Sequence, residues 1–437
     1  MLSGMSNLIQ FFTDHPDLKL LISRIQASSD DFWLVGGCIR NTLLKLPQND
    51  IDICCSGDPT PLIQSWARDV SAHWFWLDEK RLQSRVLLPG ELYLDFTPLR
   101  APAIVEDLQL RDFTINALAL SLKQLSSNQD LLDPTGGVDN LKNSQLAICS
   151  PTSCTDDPLR MLKGIRHAVT LRFTLEPDTF REFCRSAHLI INSAGERIRD
   201  ELAKIFAADE ITRGVELLLD TGLLPFIFGP PGESWNRKTA VADLEHLSIV
   251  TQGGEFSPLA EPTATVNSEQ FSTRAVFLLA RLIKLYAPEN LVELLHSRLR
   301  FSRYLRRLIE ELQSPPNLEL LSLATGIVGQ RREALFVEQF EPFAEQKMVY
   351  WSLSDGLLSL ARVGELQQSF AAEQKSGRIP DLINGKLVAA LLDGTSNVQI
   401  GEWLQKIKLA EINGEISTES EAEKWLKNKL SFDKKPI

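Results

Sequence analysis

The chain has 437 residues, 43% hydrophobic and 24% charged, with a net charge of −11; this predicts a soluble globular protein of two to four domains. No apolar run reaches the ~20 residues of a membrane span, and the first residues lack the basic and small-residue pattern of an export signal, so a cytoplasmic protein with no membrane partner is expected. The acidity argues against broad nucleic-acid binding, yet much of it lies in residues 1–150, which hold 18 acidic and 12 basic residues and where carboxylates can serve as metal ligands.

Taken in order, residues 1–27 read as one helix, with Leu8, Phe11, Phe12, Leu18 and Leu21 at helical spacing. "DFWLVGGCIRNTLLKL" reads as a strand, a Gly-Gly turn and a helix. The strand "DIDICCSG" follows, then a helix over 60–71 and three strands, "HWFWLDE", "SRVLLPG" and "LYLDFTPLR", with a turn at Pro89-Gly90. "EDLQLRDFTINALAL" at 106–120 has the pattern of a buried helix. Beyond Pro151 a 3.6-residue period predicts helices over 156–170, 177–189, 195–209, 211–220, 270–286, 288–295 and 302–313. The Gly-, Pro- and Ser-rich segment 229–268 reads as loop, and 380–430 as short helices with a basic tail, "KNKLSFDKKPI". Arg298, Arg300, Arg303, Arg306 and Arg307 form a local basic stretch. Six cysteines without any C-x-x-C pair imply incidental thiols rather than a zinc site. The fold class is α+β.

Several of these segments carry chemistry. Gly36 and Gly37 end a strand and open a helix, a place where phosphate oxygens can approach backbone N–H groups. Asp50 and Asp52 alternate on a strand and so project to one side, a pairing that repels unless a cation such as Mg²⁺ intervenes. The plainer alternative is a solvent-facing strand end beside a glycine turn. Asp95 either completes a metal site or is a surface strand residue. Arg111 could grip a triphosphate and Asp112 a ribose hydroxyl. Otherwise Asp112 is a helix N-cap and Arg111 is solvated. Asp133 either braces a joint or caps a turn. On "DDPLRMLKGIRHA", Asp157 and Arg160 stand at i and i+3 with Gly164 on the same face. They could read a base edge without a template, or form an intrahelical salt bridge.

These elements, in this order, resemble the class II tRNA nucleotidyltransferases, the bacterial-type family that includes CCA-adding enzymes and poly(A) polymerases. "LVGGCIRNTLLKLPQNDIDI", "LQLRDFTINALA", "LLDPTGGVDNL", "DDPLRMLKGIRHAVTLRF" and "ERIRDELAKIF" are similar to the family's five motifs. The resemblance implies a nucleotidyltransferase-type α/β head at 1–150, a helical neck at 151–228, a helical body at 229–330 and a helical tail at 331–437 that embraces tRNA. It implies that Asp50 and Asp52 hold Mg²⁺ ions, with Asp95 among the catalytic carboxylates. Gly36, Gly37 and Arg40 would meet the triphosphate. Arg111, Asp112 and Asn116 would handle phosphate and sugar, and Asp157 and Arg160 would select the base.

Four departures stand out. Asn41 follows Arg40 where the family has Asp; Leu110 replaces the first of two arginines; Asp156 replaces Glu. Only Ala101–Ile104 separates "TPLR" from "VEDL", where complete CCA-adding members carry a mobile loop of roughly twenty residues. Its shortness implies a CC-adding member using CTP, working beside a separate A-adding enzyme. The alternatives are a CCA- or A-adding enzyme that also uses ATP, a poly(A) polymerase, or a catalytically silent RNA-binding protein. The two surviving metal carboxylates weigh against the last.

Overall fold

The structure, a computed structural model, describes residues 2–47, 50–90, 92–125, 131–252, 271–286, 291–314, 324, 326–355, 358–374, 379, 381–392 and 397–433. They form two compact units, Met1–Glu233 with Ser297–Arg300, and Ser234–His296 with Phe301–Ile437. No helix among the described residues is long and apolar enough to cross a membrane.

The first unit is built on a six-stranded sheet of β1 (Phe32–Val35), β2 (Asp50–Cys55), β3 (His73–Asp78), β4 (Gln83–Leu88), β5 (Leu92–Pro98) and β6 (Ala119–Ser121), ordered β3-β4-β5-β2-β1-β6. β2 and β5 run parallel, and the other neighbours are antiparallel. One face is a hydrophobic layer in which Ile51, Ile53, Val86, Leu94 and Phe96 are buried. Trp66, from the helix Thr60–Asp69, packs edge-on against Phe96. The other face carries Asp50 and Asp52; toward β1 and β6 it is covered, and there Cys54 clusters with Val35, Ile104, Leu108, Ala117 and Ala119.

The α+β reading holds, with local corrections. Residues 2–27 are two helices, Leu2–Asp14 and Pro16–Ala27, separated at His15, which stands extended before Pro16. Residues 106–120 are not one helix. A short helix, Ile104–Gln109, ends early, a 3₁₀ turn spans Thr114–Asn116, and β6 follows. The apolar run there fills the cluster under the sheet instead of a helix stripe. Proline also breaks the helix expected over 156–170. Asp157 precedes Pro158 and is extended (φ −145°, ψ 97°), between a short helix, Ser153–Asp156, and the helix Arg160–Thr170. Gly164 packs instead against Phe183, whose ring would lie 2.5 Å from an added Cβ.

In the second unit the expected loop 229–268 contains a helix, Arg237–Val250, capped by Asn236, and its part from 253 onward lies outside the described residues. Helices also occupy Gln330–Glu338, Ala344–Asp355 and Leu360–Gln374, a stretch whose periodicity is broken by Gly and Pro. The C-terminal helices are longer than expected, Asn397–Asn413 and Glu419–Asp433. Residues 288–290 of one expected helix and the end of the basic tail lie outside the described residues. Of the basic stretch near 300, Arg298 and Arg300 belong to the first unit, where Arg298 donates to the Ile190 and Ile191 carbonyls and Arg300 pairs with Glu196, while in the second unit Arg307 lies over the Phe343 ring.

Candidate active site

The turn after β1 sets the geometry. Gly36 has φ +77°, a conformation that favours glycine. A Cβ there would sit 3.1 Å from Asp52 Oδ2 and 3.6 Å from Arg111 Nη1. Both ends of the first motif and Arg111 of the second therefore meet at one turn. Gly37 opens α3 (Gly37–Leu44), whose start has no side-chain cap, leaving first-turn N–H groups for an anion.

Asp52 is opposite Asp95 on β5, and Asp50 opposite Tyr93. Burial, and then the Asp95 carboxylate, push the Asp52 carboxyl up to about 6, with Asp50 adding to the repulsion. Both Asp95 oxygens accept from Arg85, at 2.7 and 2.8 Å. Asp95 is therefore tied to β4 while standing directly beside Asp52. Among the described residues no three Asp, Glu, His or Cys side chains form a ready metal cage. Mg²⁺ suits such a site, since one or two carboxylates with substrate phosphates commonly hold it. Asp50 and Asp52 fit such a donor set, and a divalent cation between them would relieve their mutual repulsion.

The phosphate-side cations are interlocked. Arg40 donates from Nη1 to Asn116 Oδ1 (2.7 Å) and from Nε and Nη2 to Asn41 Oδ1 (3.0 and 2.8 Å). Asn116 donates in turn to Asp112 Oδ1 (3.1 Å), which also accepts from the Phe113 N–H. Burial and the nearby Arg166 lower the Arg40 pKa, so an anion beside it would be welcome. Arg111 is not solvated. Its Nε and Nη2 donate to Asp107 Oδ2 (3.2 and 3.1 Å), and Nη2 also reaches Cys54 Sγ, which leaves Nη1 at the Gly36 turn. The other Asp107 oxygen accepts from the Arg100 backbone N–H (2.9 Å) and Arg100 Nε (3.2 Å). Although burial opposes it, Arg111 and Arg100 hold the Asp107 carboxyl below its usual range. One buried carboxylate thus fastens the end of β5 to the second motif across Ala101–Ile104.

The expected Asp157–Arg160 face is absent, and so is a salt bridge between the two. Asp157 pairs with Arg197 (3.0 Å) from the helix Gly195–Ala207. Arg160 donates to the carbonyls of Leu110 (3.0 Å) and Arg111 (3.3 Å). Asp133 caps a turn, accepting from the Gly137 and Val138 N–H groups. Sequence reasoning missed Asp107, Arg197 and Arg85, and met Asn41 only as a departure from the family. Only Arg85 had a signal, because a turn centred on Gly90 sets residues equidistant from it opposite one another, Arg85 with Asp95. All six cysteines are free. Burial pushes the Cys38 and Cys54 thiols up to about 12 and about 11, so neither offers a thiolate at neutral pH.

Residues 32–105 and 97–147 match the poly A polymerase head domain, and 172–234 the probable RNA and SrmB- binding site of polymerase A. A CC-adding tRNA nucleotidyltransferase of Geobacter sulfurreducens is 30% identical, over 99% of this chain and all of that one. An A-adding tRNA nucleotidyltransferase of Deinococcus radiodurans is 29% identical over 89% of this chain and 93% of its own. The Thermotoga maritima CCA-adding enzyme, solved with tRNA, shares the fold with a TM-score of 0.65 at 24% identity, over 98% of both chains. The ordered motifs and the full-length relative agree: the chain belongs to the family of tRNA nucleotidyltransferases and bacterial-type poly(A) polymerases.

Proposed function

We propose that the protein adds two C residues to the 3′ end of tRNA, from CTP and without a template. The observation that carries this is the short link Ala101–Ile104, held at both ends by the buried Asp107 carboxylate. Changing from CTP to ATP in one pocket needs a moving part that re-aims the base-reading groups. A four-residue link containing Pro102, with its fixed φ, and pinned by two arginines has little room to be one. The full-length relative from Geobacter, CC-adding by name, supports the same reading.

In the reaction the RNA 3′-oxygen attacks the α-phosphorus of the nucleotide. The O3′–Pα bond forms as the bond to the β-phosphate breaks, pyrophosphate leaves with the electron pair, and the hydroxyl proton passes to solvent. Gly36, Gly37, Arg40 and Arg111 receive the triphosphate, Asp112 and Asn116 the sugar, and Arg160 with Asp157 the base. Asp50 and Asp52 would hold Mg²⁺, which when bound supplies charge neutralisation and acidifies the attacking hydroxyl. The division into a head at 1–150, neck at 151–228, body at 229–330 and tRNA-binding tail at 331–437, and a cytoplasmic setting with a separate A-adding enzyme, belong to the same proposal.

The test offers purified protein tRNAs ending before CCA, after C and after CC, with each nucleotide in turn, and reads product length. Addition of two C residues and then arrest is expected. Efficient terminal A addition would favour the second reading, to which the Deinococcus relative points, and long A-tails on unrelated RNA would mark a poly(A) polymerase.

A further inference from the structure

The face of the sheet that carries Asp50 and Asp52 continues, partly exposed, across β5, β4 and β3. Cross-strand register sets Phe75, Arg85, Asp95 and Asp52 in one row and His73, Leu87, Tyr93 and Asp50 in the next. Opposite residues share a face, so an aromatic strip runs directly from the carboxylates to the edge strand. Phe75, Leu87 and Tyr93 are only half-buried and His73 is exposed. Leu77, where the register breaks off, is 48% exposed. The rings of His73 and Phe75 are 5.4 Å apart, and the Arg85 guanidinium lies over Tyr93 at 5.1 Å. On the opposite face Ser84, Val86 and Leu94 of β4 and β5 are buried, and Trp74 and Trp76 of β3 are half-buried. An apolar surface left open beside a reaction centre needs an occupant.

In-line chemistry says which. The groups for the triphosphate follow β1 or precede β6, on one side of Asp52 in the strand order. In phosphoryl transfer the attacking and leaving oxygens stand on opposite sides of the phosphorus. With pyrophosphate departing toward Gly36 and Arg40, the attacking hydroxyl arrives from the side of β5, β4 and β3. The RNA strand that carries it must cross this strip.

We propose that Phe75 and Tyr93, flanked by His73 and Arg85, form a stacking platform for about two unpaired nucleotides at the 3′ end of the acceptor RNA. The proposal rests on the nucleotidyltransferase reading above. Aromatic faces suit an end whose sequence changes with each addition, because every base offers a π-face. Arg85 adds a cation beside the backbone while remaining bonded to Asp95.

The experiment measures KM for CTP and for a tRNA transcript lacking its CCA end, using the full chain and Tyr93→Ala, Phe75→Ala and Phe75→Tyr. In parallel, a transcript with 2-aminopurine as its last base reports stacking by fluorescence quenching. KM for tRNA should rise on the order of tenfold in each alanine variant, with KM for CTP unchanged and Phe75→Tyr close to wild type. Quenching should weaken in Tyr93→Ala, a half-exposed position that decides the matter if Phe75→Ala does not fold. Unchanged KM for tRNA, or a change in KM for CTP alone, overturns the platform. If the wild type fails to extend tRNA, the functional reading falls, while the quenching still decides whether RNA lies on the strip.

Discussion

The phosphate side and the base side of this site are held by different means. Arg111 and Asp107 form a buried ion pair, and Arg40 is wired through Asn116 to Asp112. On the base side, Asp157 and Arg197 pair with 27% and 52% of their side chains exposed, and Arg160 leans on two carbonyls. Breaking a buried pair leaves an uncompensated charge and destabilises the fold. A half-exposed pair contributes little stability and serves to aim a side chain. On the proposed reading the phosphate side therefore doubles as structure, and the base side is left to selectivity alone.

The largest effect is expected between the two sides, at the carboxylates. Asp50→Ala or Asp52→Ala removes a ligand of the expected cation, and nucleotide incorporation should fall on the order of 10³-fold, about 4 kcal/mol of barrier. Stability should be kept or raised, since Asp52 is repelled by Asp95 and Asp50. Incorporation within tenfold of wild type would remove both residues from the chemistry.

On the phosphate side, Asp107→Ala should destabilise the first unit by roughly 3–5 kcal/mol, because Arg111 loses its partner in a buried setting. Urea unfolding followed by circular dichroism measures this. A shift below about 1 kcal/mol, typical of a surface pair, would mean that the two sides are built alike.

On the base side the expected signature is inverted. Arg197→Ala frees Asp157, and Arg160→Ala removes the donor itself. Each should cost roughly 1–3 kcal/mol of discrimination between CTP and UTP, with unfolding midpoints close to wild type. A stability loss as large as that of Asp107→Ala, with selectivity intact, would make Arg197 and Arg160 packing residues.

The same contrast explains what could be read without coordinates. The Gly-Gly turn and the Asp50–Asp52 alternation are local patterns, and the strands around them fell where periodicity put them. Asp107 and Arg197 were invisible because their roles depend on partners, Asp107 on two arginines approaching from opposite directions and Arg197 on a residue 40 positions away. The assumed helix through Asp157 failed on one local rule, the preference of a residue before proline for extended backbone. The apolar run through "FTINALAL" is ambiguous by pattern alone, since a buried turn and strand are as uniformly apolar as a buried helix. In the second unit, helix periodicity survived in several segments, but the Gly- and Pro-rich stretches hid the helix Arg237–Val250.

The smallest expected effect lies at Asn41, where the family's carboxylate is replaced. A single amide oxygen accepts from both Nε and Nη2 of Arg40, holding the guanidinium in the plane from which Nη1 reaches Asn116. Asn41→Ala leaves Arg40 its bond to Asn116 but removes this second brace. Arg40 already sits with its charge disfavoured by burial and by Arg166, so loosening it should weaken nucleotide binding more than the fold. A net hydrogen-bond contribution of about 1 kcal/mol predicts KM for CTP raised by about fivefold, with kcat and KM for tRNA close to wild type. Asn41→Asp should restore or tighten CTP binding, since a carboxylate offers two acceptors and an opposite charge to the same cation. If Asn41→Ala lowered kcat instead and left KM for CTP unchanged, Arg40 would act on the transition state rather than on the bound triphosphate, and the phosphate side would join the carboxylates as chemistry.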